Sequence, residues 1–104
     1  MPTAAEKRHM SRIAALGCLI SGQPATLHHP SAYADRMGRV GRSHRLVVPL
    51  APEYHLIQHG PRMSVEALGH RGFYREWGVD LMAEAERLEA ESVAMGILPE
   101  LGEV

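Results

Sequence analysis

The sequence predicts a small α+β domain: a two-stranded β-hairpin and a short helix, flanked by N- and C-terminal helices. Three observations predict it. Two short extended segments, Ala25–His29 and Arg45–Leu50, are separated by a Gly-, Ser- and Arg-rich stretch over 31–45. The second segment runs into a helix over 51–59 whose Pro52 suits a first turn. Helical periodicity then dominates both ends of the chain. At 104 residues, the chain fits one domain, 1–104, with a core over about 8–95 and a tail over 96–104.

Thr3 to Leu16 reads as a helix. Thr3 and Glu6 fit a capping box. Met10, Ile13, Ala14 and Gly17 fall at helical spacing, and Gly17 marks the stop. Gly22-Gln23-Pro24 signals a turn. Pro30 pushes His29 toward extended geometry. Arg45-Leu-Val-Val-Pro-Leu50 has the β-branched content of a strand. Gly60-Pro61 ends the short helix. Ser64 to Trp77 reads as a helix loosened by Gly69 and Gly72. Asp80 to Met95 has the plainest pattern: Asp80 as N-cap, then a stripe of Leu81, Ala85, Leu88, Ser92 and Met95. Gly96 and Pro99 stop it.

Hydrophobic residues make up 45% of the chain but aromatics only 5%, so the core must be aliphatic. One cysteine, Cys18, excludes an internal disulfide and gives no sign of secretion. No apolar leader and no run near the roughly 20 residues of a membrane span is visible. The expectation is a cytoplasmic protein. The net charge of −1 divides unevenly, about +6 over 1–75 and −7 over 76–104. All basic residues but Lys7 are arginines, which suit bidentate phosphate contacts. The basic part is suited to a polyanion such as DNA. Phosphate-cradling glycine loops and G-x-S-x-G are absent.

Histidine carries the chemical signal, with seven in the chain. His28 and His29 are adjacent at the end of the first strand. His55 and His59 are four apart on the expected short helix, so they would share one face. Neighbouring strand residues point to opposite faces, so His28 and His29 divide their tasks. One imidazole binds a divalent ion, and the other takes a proton from water near neutral pH. Glu66 is a further oxygen ligand candidate. His9 and His70 read as surface residues. Arg36, Arg39, Arg42, His44 and Arg45 form the expected DNA-contacting loop.

These segments together resemble a known family. Residues 12–18, Leu27-His28-His29, Ser43-His44 through Pro49-Leu50, His55, Ala67-Leu68-Gly69 through Phe73, Trp77-Gly78 and Leu88 look like the phage HNH nucleases related to the recombination-enhancement nuclease Ref. The resemblance covers about residues 8–92. It implies a ββα-metal (HNH, His-Me finger) core and a hydrolase that cleaves DNA with one divalent ion (zinc, nickel, manganese or magnesium). His28 would be the first ligand, His29 the general base, His55 the ligand on the helix, and His59 or Glu66 the third ligand. The implied source is a phage or prophage protein in a bacterial host, with a homodimer possible. The family's structural-zinc positions correspond to Cys18, Ser21, Ala51 and Tyr54, so no structural zinc is expected. Packing through Leu16, Leu19, Leu50 and Tyr54 would replace it. The alternative expectation is a catalytically degenerate module that binds DNA or protein.

Overall fold

The computed structural model describes residues 2–30 and 44–100. The element order is α1 (Ala4–Ala15), β1 (Thr26–His28), β2 (Val48–Leu50), α2 (Pro52–His55), α3 (Val65–Trp77) and α4 (Leu81–Ala94). The result is a mixed α+β domain: a two-stranded antiparallel sheet and four helices among the described residues. None of these helices is long and apolar enough to cross a membrane.

The caps form as their sequences dictate. Thr3 Oγ1 accepts the Glu6 N–H at 3.1 Å, and Glu6 Oε1 accepts the Thr3 N–H at 2.8 Å. Ser64 caps α3 and Asp80 caps α4. α4 ends where Gly96 turns to φ 78°, which lets the Ile97 N–H reach the Ser92 carbonyl at 2.9 Å.

The sheet is short. Thr26 pairs with Leu50, Leu27 with Pro49, and His28 with Val48. Pro49 has no N–H to give, which a two-stranded sheet tolerates because each strand has a free edge. Its carbonyl accepts the Leu19 N–H at 3.0 Å, tying the segment after α1 to the sheet. Alternation puts Thr26 and His28 on one face and Leu27 on the other.

Ile13, Val47, Val48, Leu50, Val65, Phe73, Leu81, Ala85 and Leu88 are the centre of the core. The α4 stripe is buried at Leu81, Ala85, Leu88 and Ser92. Met95, the fifth expected member, is 61% exposed, because it is the C-cap and the chain turns away at Gly96.

Three expectations are corrected. The helix expected over 51–59 stops at His55, because Leu56 adopts extended φ/ψ. Arg45 lies in a turn ahead of β2 and is buried, not part of an exposed loop. Its guanidinium pairs with Glu89 of α4 and donates to the Pro99 carbonyl at 2.7 Å. His9 is fully buried, not superficial.

The His9 contacts fix its protonation state. Nε2 lies 2.9 Å from the Arg45 carbonyl, which only accepts, so Nε2 carries the hydrogen. Nδ1 then accepts from the Ser92 hydroxyl at 2.7 Å. That hydroxyl oxygen in turn accepts from Arg12 Nε at 2.9 Å. One neutral tautomer therefore satisfies the whole buried chain of hydrogen bonds. Burial, with Arg12 beside it, holds the His9 pKa below 6.5 against the opposing pull of the Arg45 carbonyl and Glu89.

A histidine with a depressed folded pKa stabilises the fold fully above its unfolded value. It loses that contribution as pH falls below it toward the folded value. Urea unfolding should therefore show stability declining as pH drops below about 6.5. Ser92→Ala should cost about 1–3 kcal/mol at neutral pH by leaving a buried acceptor unmatched.

Candidate functional site

Three imidazoles from three elements meet on the Thr26–His28 face of the sheet. His28, at the end of β1, is buried. Its Nε2 lies 3.0 Å from Nε2 of His70 on α3. The His28 ring meets the His55 ring edge-on at 5.1 Å and the His70 ring at 5.3 Å.

His55 is held by Thr26. The Thr26 hydroxyl donates its single hydrogen to the Leu50 carbonyl at 2.8 Å. Its oxygen lies 2.8 Å from His55 Nδ1, so Nδ1 must be the donor there. Nδ1 of His55 thereby carries a hydrogen, and in the neutral ring the lone pair is on Nε2. An outer hydrogen bond of this kind commonly sets which nitrogen a histidine offers to a metal.

His70 reaches the cluster because α3 is broken one residue earlier. Gly69 has φ 73° and ψ 169°, a region essentially reserved for glycine. The residues before and after it form separate helical turns with different facings. Burial lowers the His70 pKa from 6.5, and the Asp80 carboxylate opposes that shift. A lowered pKa keeps the ring neutral and able to donate a lone pair near neutral pH.

The other expected residues are placed as follows. His29 lies just beyond β1, and its ring meets His44 edge-on at 5.5 Å. It thus departs from His28 as strand alternation requires. His44, expected as a phosphate contact, packs against His29 instead. His59 is exposed beyond the end of α2, and its Nε2 is 3.4 Å from Gln58 Nε2. The helical face expected to join His55 and His59 does not exist, since the helix ends between them. Glu66 is exposed, and its Oε1 accepts the Ile57 N–H at 2.8 Å, closing the loop after α2. Arg36, Arg39 and Arg42 lie outside the described residues. His70 was missed because its neighbours, Gly69 and Arg71, give no metal-ligand spacing. Its signal was the glycine break that reorients it.

Among the described residues, no three His, Cys, Asp or Glu side chains stand as a ready-made metal-binding group. The site offers a pair and a neighbour. The His28 and His70 nitrogens, 3.0 Å apart, stand at hydrogen-bond distance, closer than the roughly 3.4 Å between two ligands of a tetrahedral ion. His55 lies beside them. Imidazole nitrogens are donors that transition-metal ions accept, and His28, His70 and His55 are the residues here that could offer them.

Cys18 gathers Ser21 and Ala51, two of the residues that the resemblance sets beside it. Burial raises the Cys18 thiol. Donors on Ala51, Ser21 and Ile20 outweigh that and leave its pKa lowered. The Ile20 N–H lies 3.4 Å from Sγ. Tyr54 packs edge-on against Trp77 with ring centroids 5.2 Å apart, and Trp77 donates to the Met63 carbonyl at 3.1 Å. Leu19 and Tyr54 pack on the core, as expected, but Leu16 is 53% exposed.

No family model, no curated protein and no solved structure matches the chain.

Gly69→Ala tests the break. The added methyl meets nothing within 4 Å, so the cost is backbone strain alone. Chemical denaturation should show a loss of about 1–3 kcal/mol. Imidazole NMR signals of His28 and His70 should separate from their wild-type positions while those of His9 stay.

Proposed function

We propose that this chain is a metal-dependent DNA endonuclease of HNH type that hydrolyses phosphodiester bonds. The observation that carries this reading is the meeting of His28, His55 and His70 from a hairpin strand, the helix after it and α3. The resemblance implies a histidine at the end of the first strand and another on the helix after the second, the parts that His28 and His55 would play; His70 stands outside that order.

His28 and His70 would hold the divalent cation through Nε2, with His55 presented by Thr26 as the third imidazole. This revises the expected ligand set, since His59 is exposed and Glu66 is engaged by Ile57. A cation bound there supplies positive charge to the phosphodiester and its departing oxygen. An all-imidazole donor set favours zinc or nickel over manganese and magnesium.

His29 is the proposed general base. It adjoins His28 in sequence, is half-buried, and leans on His44. Contact with the His44 ring limits the rotation of His29, which lowers the cost of holding a base in one orientation. The base takes a proton from water and must be neutral to do so. Arg36, Arg39 and Arg42, in the segment joining the two strands, are proposed to meet phosphates without reading sequence. The proposed partner is DNA.

One observation favours a second reading, a degenerate nuclease that only binds. His28 and His70 stand at hydrogen-bond distance, so one ring is able to donate to the other without a cation.

Plasmid nicking and calorimetry separate the two. In the nuclease reading, His29→Ala loses nicking by about 100-fold or more, as expected for a general base, and still binds zinc or nickel. His28→Ala loses both, whereas His59→Ala keeps both. Wild-type protein that binds no divalent ion would establish the second reading instead.

A further inference from the structure

His70 of the imidazole cluster also lines a cavity of about 300 Å³, together with Arg71, Tyr74, Arg75, Asp80 and Leu81. We infer that this cavity binds one unpaired nucleotide of the substrate strand, its base on the Tyr74 ring and its phosphate at Arg71 and Arg75. The inference rests on the nuclease reading above and names the form of nucleic acid that the site takes.

Spacing on α3 sets the arrangement. Arg71 and Arg75 are four residues apart, and Tyr74 follows Arg71 by three, so all three share the surface after the Gly69 break. His70 and Tyr74 are also four apart, which places the ring over the same rim as the His70 imidazole.

Some arginines are taken up by carboxylates: Arg12 pairs with Glu91, Arg45 with Glu89, and Arg87 with Glu84 and Glu91. Arg8, Arg62, Arg71 and Arg75 are exposed and join no ion pair among the described residues, and of these four Arg71 and Arg75 line this cavity. Two uncompensated guanidiniums beside one cavity suit a phosphate.

Tyr74 is 54% exposed although it flanks the buried Phe73. An aromatic face beside cationic groups is the common means of holding a single-stranded base, since every base has a π-face. A paired base in a duplex does not present that face. Leu81, 2% exposed, supplies an apolar floor. The Asp80 carboxylate accepts the Ala83 N–H at 3.1 Å, and its charge disfavours a phosphate beside it. The phosphate is thus directed to the arginines. His70 contacts His28 directly, so a nucleotide seated here is one side chain from the imidazole cluster.

The experiment measures binding without chemistry. Fluorescence anisotropy in EDTA compares a labelled single-stranded oligonucleotide with its duplex, using wild type, Tyr74→Ala, Tyr74→Phe and Arg71→Ala/Arg75→Ala. Circular dichroism verifies folding. Wild type should prefer the single strand. Tyr74→Ala should weaken that binding about tenfold, Tyr74→Phe should restore it, and the duplex affinity should stay level across the tyrosine variants. The double arginine variant should weaken single-strand binding and flatten its salt dependence. Equal single-strand affinity of folded Tyr74→Ala and wild type overturns the inference, as does equal wild-type affinity for the two nucleic acids. Plasmid nicking is scored separately. Loss of the single-strand preference with nicking intact refutes only the cavity. Absent nicking with a Tyr74-dependent preference refutes only the nuclease reading.

Discussion

The pairing of Thr26 with Leu50 is the constraint on which the candidate site depends. It sets the register that puts His28 opposite Val48 and leaves Thr26 and His28 on a common face. The same pair supplies the Leu50 carbonyl that takes the Thr26 hydroxyl hydrogen. With that hydrogen committed, the threonine oxygen is free only to accept, and His55 is fixed with its proton on Nδ1. A slip of one residue would send His28 to the opposite face and leave His55 without its partner. Three residues of strand thus determine the direction of one ligand candidate and the tautomer of another.

So short a sheet needs bracing from outside. The Leu19 N–H on Pro49 holds one side, and the Tyr54–Trp77 contact holds α2 against α3. Around Cys18, donors from Ser21, Ile20 and Ala51 converge on one sulfur. These hydrogen bonds tie the segment after α1 to the residue that precedes α2. At the opposite end, α1, the turn before β2, and α4 are linked through His9, Ser92, Arg12 and Arg45. That buried network anchors the start of β2 and so the register itself.

Much of the fold was legible in the sequence because its signals are local. The Thr3–Glu6 capping box, the Asp80 cap, the Gly96 stop and the alternation at His28-His29 each act within a few residues. The errors have a common physical origin, since each involves a side chain whose fate is decided at long range. His9 looked superficial on a polar helix face, yet Arg45 and Ser92, remote in sequence, supply both of its partners. Arg45 looked like part of a basic loop until Glu89 claimed it. The His55/His59 pairing assumed a helix that Leu56 ends. His70 lacked any spacing signal, and only the left-handed Gly69 brings it to His28. The pair His28 and His55 was legible. The identity of the third imidazole was not.

The central claim is that His28, His55 and His70 form one cation site while His59 does not. Long-range nitrogen–proton NMR of the histidine rings during a zinc titration tests it most directly. The account predicts an Nδ1–H tautomer for His55 in the free protein, with the Nε2 resonances of all three rings moving together as zinc is added and His59 unmoved. Movement of His59 in place of His70, or no movement at His28 at saturating zinc, would contradict it.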